Sequence, residues 1–373
     1  MRNLRYAFVM ILCSAALAAI GCTGDPGATG AGGDIGPTGP EGPAGPQGPA
    51  GASGLPLVIQ LPGTGFFPEG IAQDVAGNFY VGSATTGQVI KASLAGTELR
   101  AGAFVAGELA GAAIGMVVDE DLGALWVCDS NPVNPTASAL VAFDTGDGSK
   151  VATHTIPTTA SVFCNDAALD DSNNVYFTDS FGGRVLRIPE ADRLTDNSAA
   201  DWKVDAALAG IDANAPFGAN GIVHLGGFIY VLNYAKGTLS QITINGDGTA
   251  GELKDVALSD GTAAYTIAGG DGMKVLDADS LIVVENLGNR LIQIDLADVA
   301  NTPTGTVTTL ATRLDVPTTV ALDLGTPGEE SAFVVESQFD HLFTPDVAGP
   351  PALPFGVVQV HLFLPQPAPS LTE

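Results

Sequence analysis

Four residues with oxygen-bearing side chains, Glu69, Asn165, Asn220 and Asp271, stand at the same point of a recurring phrase. Each opens a short apolar alternation: Glu69-Gly70-Ile71-Ala72, Asn165-Asp166-Ala167-Ala168, Asn220-Gly221-Ile222-Val223 and Asp271-Gly272-Met273-Lys274. Two more copies begin at Ile114 and Thr318, so the first position is polar in five of six. The third position is apolar throughout: Ile71, Met116, Ala167, Ile222, Met273 and Val320. A position that only packs should be monotonous across repeats, and the first position is not. Two carboxylates and two carboxamides brought together form an all-oxygen donor set. Such a set suits a hard divalent cation, Ca²⁺ before Mg²⁺, Mn²⁺ or Zn²⁺. Without a cation, Glu69 and Asp271 would repel and one would hold a proton. The competing reading is a polar, water-filled channel.

These residues need a scaffold that brings equivalent positions to one axis. The copies begin at 69, 114, 165, 220, 271 and 318. Each phrase is followed by a second apolar run, such as Phe79-Tyr80-Val81 or Leu281-Ile282-Val283-Val284. Third runs then come at 88–93, 140–144, 184–188, 238–244 and 290–295, and a weaker fourth often follows. Four strands at a period of about fifty residues mark a propeller blade. Residues 57–373 therefore predict an all-β, six-bladed β-propeller of four-stranded blades, with the first strand of each blade lining the central channel. The run at 355–363 is the third strand of blade six. The run at 58–61 has no partner in its own blade and is expected to complete the last one, closing the ring.

The chain ahead of the propeller is different. Arg2 and Arg5 precede an apolar run from Tyr6 to Ile20, the pattern of an export signal rather than of a full membrane span. Ala19-Ile20-Gly21-Cys22 resembles a bacterial lipobox. That likeness implies a signal over 1–21, an acylated Cys22, and a mature chain at the outer membrane or cell surface, with the periplasm as the alternative. Glycine then recurs every third residue from Gly24 to Gly54, the collagen period. This 22–56 tether would reach roughly 95 Å if fully extended. Two states fit it: a trimeric stalk and a single extended chain. The net charge of −27 excludes a nucleic-acid partner, because phosphate binding needs a basic surface. The expected partners are a small-molecule substrate and, through the lipid only, a membrane.

The phrases in blades one, three, four and five resemble those of the SMP-30/gluconolactonase/LRE-like family over residues 57–373. The motifs carrying the resemblance are Glu69-Gly70, Asn165-Asp166, Asn220-Gly221 and Asp271-Gly272-Met273. The resemblance implies a divalent cation on Glu69, Asn220 and Asp271, with Asn165 facing the substrate or a metal-bound water. It implies opening of a lactone or related ester, with Asp271 as ligand and general base and Asn165 as the other catalytic residue. No Ser-His-Asp arrangement is evident. Family lactonases often carry Asn-Asp-Gly in blade three, preceded by a basic residue. This chain has Asn165-Asp166-Ala167 preceded by Val162-Phe163-Cys164, which removes the basis for assigning a sugar lactone. The alternative is a non-catalytic, NHL-like binding propeller displayed on the tether.

His341 follows the second strand of blade six and is a candidate substrate contact at the channel mouth. His224, four residues after Asn220, is expected beneath the site as a satisfied polar group, with proton relay as the alternative. His154 and His361 read as surface strand residues. Asp129, Asp179 and Glu285 end second strands, either as turn formers or as supports for the site. Cys128 and Cys164 form an even pair in an oxidising compartment, and their disulfide is expected on that ground. Two buried thiols are the alternative.

Overall fold

The computed structural model describes residues 59–95, 98–105, 109–130, 135–157, 161–325 and 329–362. The export signal, Cys22 and the Gly-X-Y tether, with any trimer it forms, lie outside them.

Six sheets follow one another around a ring, each built mainly from strands that are neighbours in sequence. The inner strands are Pro68–Gln73, Ala112–Asp119, Cys164–Leu169, Ala219–Leu225, Gly270–Val275 and Pro317–Asp323. Second strands are apolar almost throughout because each lies between two neighbouring blades. Ala124–Ser130, Val175–Asp179 and Ser280–Glu285 are buried along their whole length. Such two-sided burial reads in sequence as a continuous apolar run rather than an alternation. Outer strands face water and lose that character, as in Ala250–Asp255. Two blades exceed the four-strand expectation. Asn197–Ser198 joins blade two and Ala257–Ser259 joins blade five, each as a short parallel fifth strand at the edge.

Apolar packing lies between the blades. Six buried clusters sit one at each interface, among them Trp126, Leu140, Phe177 and Leu186 between blades two and three. Phe79 of blade one meets Phe333 of blade six with ring centroids 4.6 Å apart. The ring closes there. Ile59–Gln60 pairs antiparallel with Gly356–Val357, and the Leu61 amide donates to the Phe355 carbonyl at 2.9 Å. The first described strand thus completes the last blade and leaves no open seam.

A disulfide joins Cys128 to Cys164 across the interface of blades two and three, with Cα atoms 5.2 Å apart. Closing this span restricts the unfolded chain, an effect of about 4 kcal/mol in the chain-entropy account. His154 corrects the surface reading. It is fully buried, with Nδ1 2.7 Å from the Asn197 side-chain oxygen and its ring 5.5 Å from that of Trp126. The short fifth strand of blade two lies beside it and covers what would otherwise be an outer edge.

Candidate functional site

Every inner strand carries a bulge at the same place. In blade one, Pro68 pairs with Ser83 and Ile71 with Val81, so Glu69 and Gly70 together oppose Gly82. The same two-against-one offset falls on Ile114 and Gly115, Asn165 and Asp166, Asn220 and Gly221, Asp271 and Gly272, and Thr318 and Thr319. A bulge bends its strand and re-aims a side chain. Here six bulges form one ring at the end where the inner strands begin.

The second bulge position explains the recurrent glycine. A Cβ on Gly70 would stand 2.2 Å from the Ile114 carbonyl oxygen, and one on Gly221 would stand 2.1 Å from that of Asp271. Two blades break the rule with polar side chains that bond to the ring instead. Thr319, with its neighbour Thr318 at 2.7 Å, donates to the Glu69 carbonyl. Asp166 accepts from the Ala167 amide at 2.9 Å and the Ile222 amide at 3.5 Å.

The ring brings Glu69, Asn165, Asn220 and Asp271 to the channel, all nearly enclosed. Glu69 is only 6% exposed and Asp271 only 7%. Burial drives the Glu69 pKa well above the ordinary carboxylate range, and the charges of Asp271 and Asp166 add to it. Burial does the same to Asp271; a side-chain hydrogen bond from Asn220 opposes the rise and the Asp166 charge reinforces it. Glu69 Oε2 and Asn220 Oδ1 are buried with no hydrogen-bond partner. Leaving such atoms unpaired is costly, and functional sites are where that cost is met. The other two first positions give the site nothing polar: Ile114 packs in the cluster between blades two and three, and Thr318 is spent on the backbone.

Three further residues belong to the neighbourhood. Asp166 is fully buried and its pKa is raised by desolvation, against the opposing charge of Lys274. Lys274 is the one cation at the fourth phrase position, where the other blades have Ala72, Val117, Ala168, Val223 and Ala321. Tyr234 is largely buried, and burial followed by the Asp271 charge raises its pKa. Its hydroxyl donates to Asn286 Oδ1 at 3.0 Å, and Asn286 Nδ2 donates to the Pro317 carbonyl at 3.0 Å. Asp166 and Lys274 were legible as breaks in the phrase; Tyr234, in a loop outside it, was not.

The remaining candidates are His341 and His224. His341 lies on a short helix, Phe339–Phe343, in the segment that joins the last two strands of blade six. Its Nδ1 donates to the Gly349 carbonyl at 3.1 Å. Among the described residues, Asp315, Asp340 and His341 are the one set of three His, Cys, Asp or Glu donors within 4.8 Å of one another. The three channel carboxylates are spread more widely, so a cation there must draw on Asn220 as well. His224 sits near the far end of its strand, paired opposite Ile229, with Nδ1 3.7 Å from Asp171.

The acids ending second strands hold the loops that lead into inner strands. Asp129 accepts from the Ala110 and Gly111 amides, both at 2.8 Å. Asp179 accepts from the Phe163 amide at 2.9 Å, Glu285 from that of Ala268 at 2.8 Å and Glu336 from that of Asp315 at 3.0 Å. This staple recurs in four of the six blades, just ahead of the bulge.

No family model matches the chain, and no curated protein matches it. Solved structures do. The major allergen Mala s 1 of Malassezia sympodialis superposes with a TM-score of 0.62 at 13% identity, over 82% of this chain and 96% of that one. A luciferin-regenerating enzyme gives 0.54 at 12% identity, over 82% and 94%. Virginiamycin B lyase from Staphylococcus aureus gives 0.51 at 12%, over 82% and 98%. At these identities the likeness shows a shared propeller fold.

Proposed function

We propose that this propeller is a divalent-metal-dependent hydrolase that opens a lactone or related ester, with Ca²⁺ the preferred ion. Glu69, Asn220 and Asp271 would hold the cation. The observation that carries the reading is a pair of enclosed carboxylates beside two buried oxygens, Glu69 Oε2 and Asn220 Oδ1, that lack any partner. The donor set fits a hard cation, which would relieve the repulsion that lifts both pKa values. When bound, such an ion supplies Lewis-acid polarisation of a carbonyl and a water of lowered pKa. Asp271, hydrogen-bonded by the Asn220 side chain, would take a proton near the reacting centre. Asn165, on the neighbouring bulge, offers an amide to a substrate oxygen. The charge of Lys274 tempers the negative field at Asp166. Two of the structural neighbours are enzymes by name, which accords with a catalytic use of this fold. In this reading the domain stands off the outer membrane or cell surface on its collagen-like tether, anchored at Cys22.

The test is thermal unfolding of the full-length protein with excess Ca²⁺ and with a chelator, alongside Asp271→Ala. An ion bound only to the native state raises stability by about 2.7 kcal/mol at a hundredfold excess over Kd. A Ca²⁺-dependent rise in midpoint, absent from the variant, is expected, together with turnover of lactones. No shift in either protein overturns the metal-hydrolase reading and leaves a surface-displayed binding propeller.

A further inference from the structure

Beside the core between blades two and three, aromatic rings gather that neither the donor set nor the staples use; Phe163 lies in that core and Phe181 and Phe217 pack against it. Phe163 immediately precedes the inner strand of blade three, and Phe217 stands two residues before that of blade four. Phe181 and Tyr234 follow the second strands of the same blades. All four therefore lie at the end of the sheets that bears the bulges. Phe163 and Phe217 meet edge to face at 5.2 Å, Phe181 and Phe217 at 4.9 Å, and Phe217 and Tyr234 at 6.3 Å. Phe181, Phe217 and Tyr234 keep part of their surface open. Leu287, just past the second strand of blade five, extends the wall and is 53% exposed.

The wall adjoins the site on two sides. Phe163 is two residues from Asn165, and Tyr234 is close enough to Asp271 to feel its charge. The nearby cations are already engaged. Arg184 pairs with Asp179 at 3.0 Å and Asp201 at 2.6 Å, and Lys236 donates to the Ala206 carbonyl. A polyhydroxylated ring pressed here would surrender hydrogen bonds to water without replacement. An apolar substituent would instead bury its surface against ring faces.

Resting on the hydrolase reading above, we propose that the wall of Phe181, Phe217, Tyr234 and Leu287 selects a lactone carrying an apolar chain, held with its ring over the Glu69–Asn220–Asp271 set. The wall sets specificity rather than chemistry, so its signature is chain-length dependence.

The experiment measures kcat/KM of the Ca²⁺-loaded full-length protein on γ-lactones with side chains from methyl to heptyl, and on glucono-δ-lactone. A rise of about fourfold per added methylene is expected until the wall is covered, since each buried methylene contributes ~0.8 kcal/mol. The sugar lactone should fall below every alkylated member. Phe217→Ala and Phe181→Ala should each flatten the slope, and Phe217→Leu, which keeps apolar volume if the alanine variant fails to fold, should retain most of it. Turnover that ignores chain length overturns this inference and leaves the hydrolase standing. If no lactone is hydrolysed, the hydrolase falls and binding decides the wall. Calorimetric titration with alkylated γ-lactams should then show affinity that grows with chain length and weakens in Phe217→Ala. Affinity that is absent or independent of length overturns the inference.

Discussion

The two ends of the same inner strands treat buried acids in opposite ways. At the hairpin end, the half-buried Asp74 and the buried Asp119 and Asp170 close the phrases of blades one, two and three, and each is answered by the chain. Asp170 accepts from the Asn174 and Ser172 amides, from the Asn174 side chain at 2.8 Å and from the Tyr176 hydroxyl at 3.0 Å. Burial opposes its ionisation, yet these bonds outweigh burial and hold its pKa below the ordinary value. Asp74 repeats the pattern with Asn78 and Tyr80. Asp119 instead takes Arg193 at 2.6 Å and the Trp126 indole at 3.3 Å. Only about five residues away, the bulge end buries Glu69 and Asp271 with pKa values raised, two orphaned oxygens and one nearby lysine. An acid that serves the fold is satisfied by the chain itself. Glu69 and Asp271 are not, and that contrast marks the bulge ring as the candidate site.

The largest effect should come from breaking a satisfied acid. Asp119→Ala leaves Arg193 buried, with only the exposed Asp121 and Glu190 as partners. Removing one member of such a pair costs about 3–5 kcal/mol. Denaturant unfolding should show that loss, while the Ca²⁺-induced stabilisation of the folded fraction is unchanged. A variant that also loses the Ca²⁺ response would mean that the two ends are coupled, and the division drawn above would fail.

Neutralising the unsatisfied acids should do the reverse. A carboxylate whose pKa is raised on folding contributes stability that is fully present below its unfolded pKa. That contribution is lost as pH rises through the folded value. Metal-free protein should therefore be more stable at pH 5 than at pH 8. Glu69→Gln combined with Asp271→Asn should raise chelator-treated stability at pH 8 by about 1–2 kcal/mol and flatten the dependence. Asp166, also raised by burial, keeps a residual slope. The same variant should lose its Ca²⁺ response. Chelated wild-type protein whose stability is level across this range, or a variant less stable than it at pH 8, would remove the case for repulsion.

Much of this was readable from the residues, for physical reasons that differ by region. Blade boundaries followed from a fifty-residue period, because one supersecondary unit repeats and each unit must bury both faces. Ring closure followed from an apolar run at 58–61 that had nothing to pair with. The unequal first position pointed to Glu69, Asn220 and Asp271 because a packing position has no reason to vary in polarity. The bulges were invisible, since an extra residue on one strand changes neither composition nor apolar content. His154 was misread because the strand Lys150–Thr155 alternates like an outer edge, and its cover, Asn197–Ser198, is two residues from the next blade. The aromatic wall escaped notice because Phe163, Phe181, Phe217 and Tyr234 are far apart in sequence and meet only when blades three and four are adjacent.

The smallest expected effect gives the finest test of the comparison. Tyr80 is fully buried, and its hydroxyl donates to Asp74 Oδ2 at 3.0 Å, an oxygen that Asn78 Nδ2 also holds at 2.8 Å. Tyr80→Phe deletes one donor without opening a cavity and leaves Asp74 partly satisfied, so the cost should be about 1 kcal/mol. The hairpin closed by Asp74 joins the strands 68–73 and 78–83, and both run to the bulge at Glu69, so a mechanical link between the ends has a direct path. If the ends are independent, Tyr80→Phe shifts the unfolding midpoint alike at pH 5 and pH 8, with and without Ca²⁺. A shift that grows with pH, or that Ca²⁺ erases, would show the hairpin acid helping to hold the bulge. Asp74 would then have to be counted with the site rather than with the fold.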